Sequence, residues 1–178
     1  MPDEKSNFAI GSFGLFKIVV LTGAIIGMAS LPQFWFSLDY VFTRFDYAGY
    51  DFFLKNLNSP GGYQGFGYYA YMPFAVFAAS AAAIAASVLT FTKYEKNGAI
   101  AGVSFGAVML VATLLYVFYP KSKIAIYNSA VSITSEIKLM DHLGSGVILA
   151  VAAGILVIAG GAIILMQRRA AAGGRKEK

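Results

Sequence analysis

His142 is the single histidine of the chain and directly follows Asp141. An imidazole beside a carboxylate is the pairing that a general base or a metal site would use. One histidine does not supply two axial haem ligands, and with no cysteine in the chain no zinc set is completed. A catalytic triad needs a nucleophile that the spacing does not reveal. The pair therefore reads as the polar entrance to a helix, with Asp141 near the N-terminus, where negative charge is favoured. Asp39, Asp46 and Asp51 are an acidic group, but calcium loops place oxygen ligands much closer in sequence. On a helix, Asp39 and Asp46 share a face and Asp51 lies off it, so a solvated polar face is expected. Within the apolar stretches the polar residues are Thr22, Ser80, Ser87, Thr90, Ser104 and Thr113, and such hydroxyls bond back to their own helix. No ionisable group sits near the centre of an apolar stretch, where membrane transport or catalysis would place one. No phosphate-binding glycine loop or dinucleotide fingerprint is present. The expectation is a protein with no enzymatic activity and no metal.

The elements that hold these residues are membrane helices. Of the 178 residues 58% are hydrophobic and 13% charged, against about a quarter charged in soluble domains. Four apolar runs, about 14–34, 72–92, 98–119 and 143–166, are each long enough for a hydrocarbon core about 30 Å thick. The fold class expected is all-α, an integral membrane four-helix bundle at 14–166, with outer loops at 35–71 and 120–142. The tail at 1–13 is short, and the basic tail at 167–178 is expected to be disordered. Each run carries small residues four apart: Gly23 and Gly27; Ala75, Ala79 and Ala83; Gly98, Gly102 and Gly106; Gly146, Ala150 and Gly154. Residues four apart share a helix face, and small ones let helices approach closely in lipid. The three glycines from Gly98 read as one smooth groove. Lys17 lies near one end of the first span, where its stem can snorkel.

The first outer loop is aromatic, with Trp35, Tyr40, Phe45, Tyr47, Tyr50, Phe52, Tyr63 and Tyr68 as candidate contact residues. Leu38, Val41, Phe42, Phe45, Phe52 and Phe53 recur at steps dominated by three, four and seven, which predicts an amphipathic extracytoplasmic helix over 37–58. In the second loop Ile126, Ala130, Ile133, Ile137 and Met140 suit a helical stripe. Val131–Thr134 would equally suit a strand; the short helix is preferred.

Charge sets the orientation. The tails and the middle turn hold Lys5, Lys17, Lys93, Lys96, Arg168, Arg169, Arg175, Lys176 and Lys178 against Asp3, Glu4, Glu95 and Glu177, which accounts for the whole net charge of +5. In the long loops Arg44, Lys55, Lys121, Lys123 and Lys138 are balanced by Asp39, Asp46, Asp51, Glu136 and Asp141. The basic side is expected to be cytoplasmic, with both termini inside. This distribution argues against nucleic acid, while the basic tail would attract anionic lipid at about 1 kcal/mol per residue.

The layout resembles that of claudin-like four-helix membrane proteins: both ends inside, a long first outer loop, a shorter second one, and a glycine-marked last helix (Leu143–Gly144–Ser145–Gly146 through Gly160–Gly161). That family pairs tryptophans with two cysteines in its first outer loop. Here Trp35 stands there without a cysteine, so the resemblance implies no disulfide-stapled sheet and transfers no functional residue. The function expected is contact: an accessory or scaffold subunit of a larger membrane complex, or a self-assembling protein. Its partners would be other integral membrane subunits, copies of itself and membrane lipid. The alternatives are a claudin-like cell-contact protein and a channel or transporter for a small neutral molecule. No cofactor is predicted, although the apolar faces leave room for lipid or a hydrophobic pigment or quinone.

Overall fold

The computed structural model describes residues 4–40, 43–54, 71–118, 122–128, 131–137 and 139–173. In chain order these form α1 (Glu4–Ala29), β1 (Phe34–Tyr40), β2 (Thr43–Ala48), α2 (Asp51–Leu54), α3 (Met72–Thr90), α4 (Glu95–Val117), β3 (Ser122–Asn128), β4 (Val131–Ile137), a 3-10 turn (Leu139–His142) and α5 (Ser145–Gly173). The molecule is mostly helical. Three of its four long helices, α3, α4 and α5, are long and apolar enough to cross a membrane, and α1 carries the shorter apolar stretch Gly14–Ala29.

Local chemistry sets the helix ends. Pro73 sits in the first turn of α3, where a missing N–H costs nothing. After Thr90 the chain turns: the Thr92 hydroxyl donates to the Leu89 carbonyl at 2.8 Å and accepts the Tyr94 N–H at 3.1 Å. α5 runs past 166 through Arg168 and Arg169 to Gly173, so the first half of the expected tail is helical. Ala170, Ala171 and Ala172 supply the helix propensity that carries it there.

The four long helices pack in the ring α1–α3–α4–α5–α1, each antiparallel to its neighbours, and glycines mark the close approaches. A methyl group on Gly23 would lie 2.9 Å from Leu156 Cβ and 3.1 Å from the Ala153 carbonyl of α5. One on Gly27 would collide with the Ser80 side chain, and one on Gly154 would lie 2.7 Å from Leu110 Cγ. Ala79, Ala83 and Ala150 are buried, and Ala75 partly so.

Gly98, Gly102 and Gly106 do not form the single groove expected. Gly98 abuts α3, where an added methyl group would lie 2.6 Å from Ala86 O, and Gly106 abuts α5 at Ile158 and Gly154. Gly102 has room, with Val20 Cγ1 of α1 at 3.6 Å. The reason is helical drift. Four residues turn the helix through one revolution plus about 40°, so two such steps carry the stripe from one neighbour toward the next.

Both loop expectations are corrected. Where it is described, the segment expected as an amphipathic helix over 37–58 is the antiparallel hairpin β1–β2 followed by the short α2, with 41–42 and 55–58 outside the described residues; the second loop holds the hairpin β3–β4, with Ile126 opposite Ile133. In β1 the alternation of Phe36 and Leu38 (buried) with Ser37 and Asp39 (more open) is the period of a strand. A register shift between Phe34 and Phe36 leaves Trp35 as the extra residue. A bulge of this kind re-aims a side chain, and it lets the consecutive Trp35 and Phe36 both be buried.

Candidate functional site

Two side-chain clusters mark the ends of the bundle. At the hairpin end, Trp35 is fully buried between helices. Its indole Nε1 donates to the Ser30 carbonyl at 2.8 Å, and its ring meets Tyr116 edge-on with centroids 5.3 Å apart. The Tyr116 hydroxyl donates to the Trp35 carbonyl at 3.1 Å, and the Gly144 N–H donates to the same oxygen at 3.1 Å. Gly146 provides the space: a methyl group there would lie 2.5 Å from Trp35 Cδ1. Phe36 stacks on Tyr47 with centroids 5.8 Å apart and meets His142 at 5.6 Å. Phe52 meets Tyr116 from the other side at 6.2 Å. The hairpin is thus fastened to α1, α4 and the start of α5 by a buried aromatic cluster. A shared hydrogen-bonded carbonyl completes the attachment.

This burial corrects the expectation for the aromatic loop. Trp35, Tyr47 and Phe52 are buried within the chain rather than displayed on its surface; Tyr50 is exposed, and so is Phe34. Burying rings such as the first three is favourable by about 1.5–3 kcal/mol each, which holds them in the core of the chain. Tyr40 and Phe45 occupy strand positions in β1 and β2, Tyr40 opposite Thr43 and Phe45 opposite Leu38. Tyr63 and Tyr68 lie outside the described residues.

On the hairpin's open side, Asp46 accepts from the Ser37 hydroxyl at 2.6 Å and from Arg44 Nε at 2.9 Å. Burial by itself would raise the Asp46 pKa; the hydrogen bonds from Ser37 and Arg44 outweigh it and hold the carboxyl below its ordinary 3.8. Asp51 accepts the Ala48 N–H at 2.9 Å. Asp39 and Asp46 both face Arg44, at 3.9 Å and 2.9 Å, while Asp51 is used elsewhere, and no group of acidic or histidine ligands suited to a metal occurs among the described residues. Asp141 and His142 lie in the 3-10 turn ahead of α5, with Asp141 exposed. The hydroxyls of Ser80, Ser87, Thr90, Ser104 and Thr113 each donate to a carbonyl three or four residues back on their own helix.

At the opposite end, around the α3–α4 turn, Glu95 is the meeting point of three helices. Its Oε1 is 2.8 Å from Lys17 Nζ of α1 and its Oε2 is 3.5 Å from Arg168 Nε of α5. The Lys17 ammonium also stands 5.5 Å from the Phe91 ring centroid. Glu95 lies in the first turn of α4, where the helix dipole favours a carboxylate. Nothing in its spacing marks it, since in sequence it is one charge in a polar turn. Beside it, Lys96, Ile100, Leu165, Arg168, Arg169 and Ala172 line a groove of about 410 Å³ between α4 and α5.

Comparison of the chain with protein-family models, curated proteins and solved structures gives no match.

Proposed function

We propose that this chain is a multi-pass membrane protein of four spanning helices with no catalytic site, and that it acts by contact. In this reading it is an accessory or scaffold subunit of a larger integral membrane assembly, or it assembles with itself. The observation that carries the membrane part is the perimeter. Large apolar side chains are exposed on every long helix, among them Ile18, Ile25, Val88, Val111, Leu115 and Ile148. A soluble monomer rarely exposes an apolar belt of that extent.

The glycine contacts described above are satisfied between helices of the same chain. Contact with partners therefore falls to the leucine- and isoleucine-rich perimeter and to the exposed face of the first hairpin. Both termini and the α3–α4 turn lie inside and the hairpins outside, as the distribution of basic residues favours.

The test begins with extraction in mild detergent. A defined complex or homo-oligomer on native gels supports the reading, and a monodisperse 19.0 kDa species counts against it. The chain has no cysteine, so single cysteines at Lys96 and Tyr50 read the orientation directly. An impermeant maleimide added to intact cells should label Tyr50→Cys and spare Lys96→Cys.

A second reading, a claudin-like cell-contact protein, is favoured by one observation: each of the two long loops holds a β-hairpin. Deleting the first hairpin would also remove the buried Trp35, so the discriminating variant is Phe34→Ser with Tyr50→Ser on the exposed face. Unchanged cell aggregation with that variant would remove this reading.

A further inference from the structure

We infer that the groove between α4 and α5 binds the phosphate headgroup of an anionic membrane phospholipid. Lys96 and Arg169 are its principal cations, and Ile100, Leu165 and Ala172 carry the first part of the acyl chain. The inference rests on the membrane reading above, since it places the groove at the headgroup level of the inner leaflet.

The spacing builds the groove. Leu165, Arg168, Arg169 and Ala172 are at i, i+3, i+4 and i+7 of α5 and share one helix face, and Lys96 and Ile100 share a face of α4. Where the two faces meet they enclose about 410 Å³, room for a phosphate and the carbons next to it. Three cations and no carboxylate appear among the described lining residues. The nearby carboxylate that would otherwise neutralise them is Glu95. It is engaged by Lys17 at 2.8 Å and by one of the three, Arg168, at 3.5 Å, which leaves Lys96 and Arg169. Neither Lys96 nor Arg169 has an ion-pair partner among the described residues.

A cationic cleft with an apolar wall selects a ligand that is both anionic and greasy. Basic pockets between spanning helices at the cytoplasmic face hold such headgroups. Arginine adds a fork that matches phosphate oxygens, and lysine a compact charge. Free phosphate would leave the wall of Ile100 and Leu165 without use. A lipid uses both parts.

The test uses the full chain in detergent and native mass spectrometry, with phosphatidylglycerol, phosphatidylcholine and glycerol 3-phosphate as probes. Phosphatidylglycerol should be retained preferentially. The variant Lys96→Gln with Arg169→Gln should bind it about thirtyfold more weakly, from a little over fivefold (about 1 kcal/mol) per basic residue. Both changes keep much of the side-chain stem and spare Arg168, which holds Glu95, so circular dichroism and unfolding temperature should match the parent. Equal retention of phosphatidylcholine, or undiminished binding by the variant, would overturn the inference. Competition by glycerol 3-phosphate at concentrations similar to the lipid would also overturn it, making the groove a phosphate site. Recovery of the protein in the soluble fraction of lysed cells would instead sink the membrane reading beneath it.

Discussion

The Tyr116 hydroxyl reaches the Trp35 carbonyl at 3.1 Å across 81 residues of chain, so the end of α4 directly holds the first strand of the hairpin. The bond is one of two on that oxygen, because the Gly144 N–H also donates to it. Tyr116→Phe therefore leaves no orphaned acceptor and should cost only about 0.5–1.5 kcal/mol. Tyr116→Ala removes a ring that touches both Trp35 and Phe52 and should cost about 3–5 kcal/mol. Reversible unfolding in mixed micelles reads both values. Equal losses for the two variants would mean that the ring packing contributes nothing.

The glycines of α4 should differ sharply although they share one sequence pattern. A methyl group on Gly98 meets the backbone of α3, with Ala86 O at 2.6 Å and Thr90 N at 2.8 Å. Backbone atoms do not swing aside, so Gly98→Ala must part the helices and should cost about 1–3 kcal/mol. At Gly102 the nearest atom is Val20 Cγ1 at 3.6 Å, ordinary contact, and Gly102→Ala should be neutral or stabilising by up to about 1 kcal/mol. Thermal unfolding of the two variants side by side checks the contrast. A loss at Gly102 as large as at Gly98 would contradict the packing.

The helices were legible because long apolar runs with small residues at four-residue steps have few other uses. The partner that each small residue faces was not, because the four-residue step drifts by about 40° and sequence spacing does not count that drift against neighbour positions. The hairpin escaped for a different reason. Leu38, Val41, Phe42 and Phe45 satisfy a helical period, while the strand period of Phe36 and Leu38 is interrupted by the bulge at Trp35. Trp35 and Tyr116, like Lys17 and Glu95, meet through long-range packing, and pattern reading along one segment does not reach such pairs.

Glu95 ties α1 to α4 and α5, and its removal should be felt in all three. The Lys17 and Glu95 side chains are 17% and 18% exposed. The pair thus lies between a surface ion pair at about 0–1 kcal/mol and a fully buried pair, where losing one partner costs about 3–5 kcal/mol. Glu95→Gln should cost about 1–3 kcal/mol. A double-mutant cycle with Lys17→Met isolates the pair from the rest of the cluster. Additive single effects would show that Lys17 and Glu95 do not stabilise each other.

Asp46 predicts an acid-sensitive hairpin, and the sign follows from the direction of its shift. Its folded pKa lies below the ordinary 3.8 because the Ser37 and Arg44 hydrogen bonds outweigh burial. A carboxyl depressed on folding stabilises the folded state in full above its unfolded value. That stability is lost as pH falls from there through the folded value. Between pH 7 and about pH 5 Asp46 should therefore contribute a constant amount. Below about pH 4 the parent should lose stability faster than Asp46→Asn, which keeps an acceptor for Ser37 but does not titrate. Unfolding temperatures of the two proteins, taken as a difference at each pH, cancel the titration of groups that do not interact with Asp46. A difference that stays flat from pH 7 down to about pH 2 would show that the Asp46 charge is not coupled to folding.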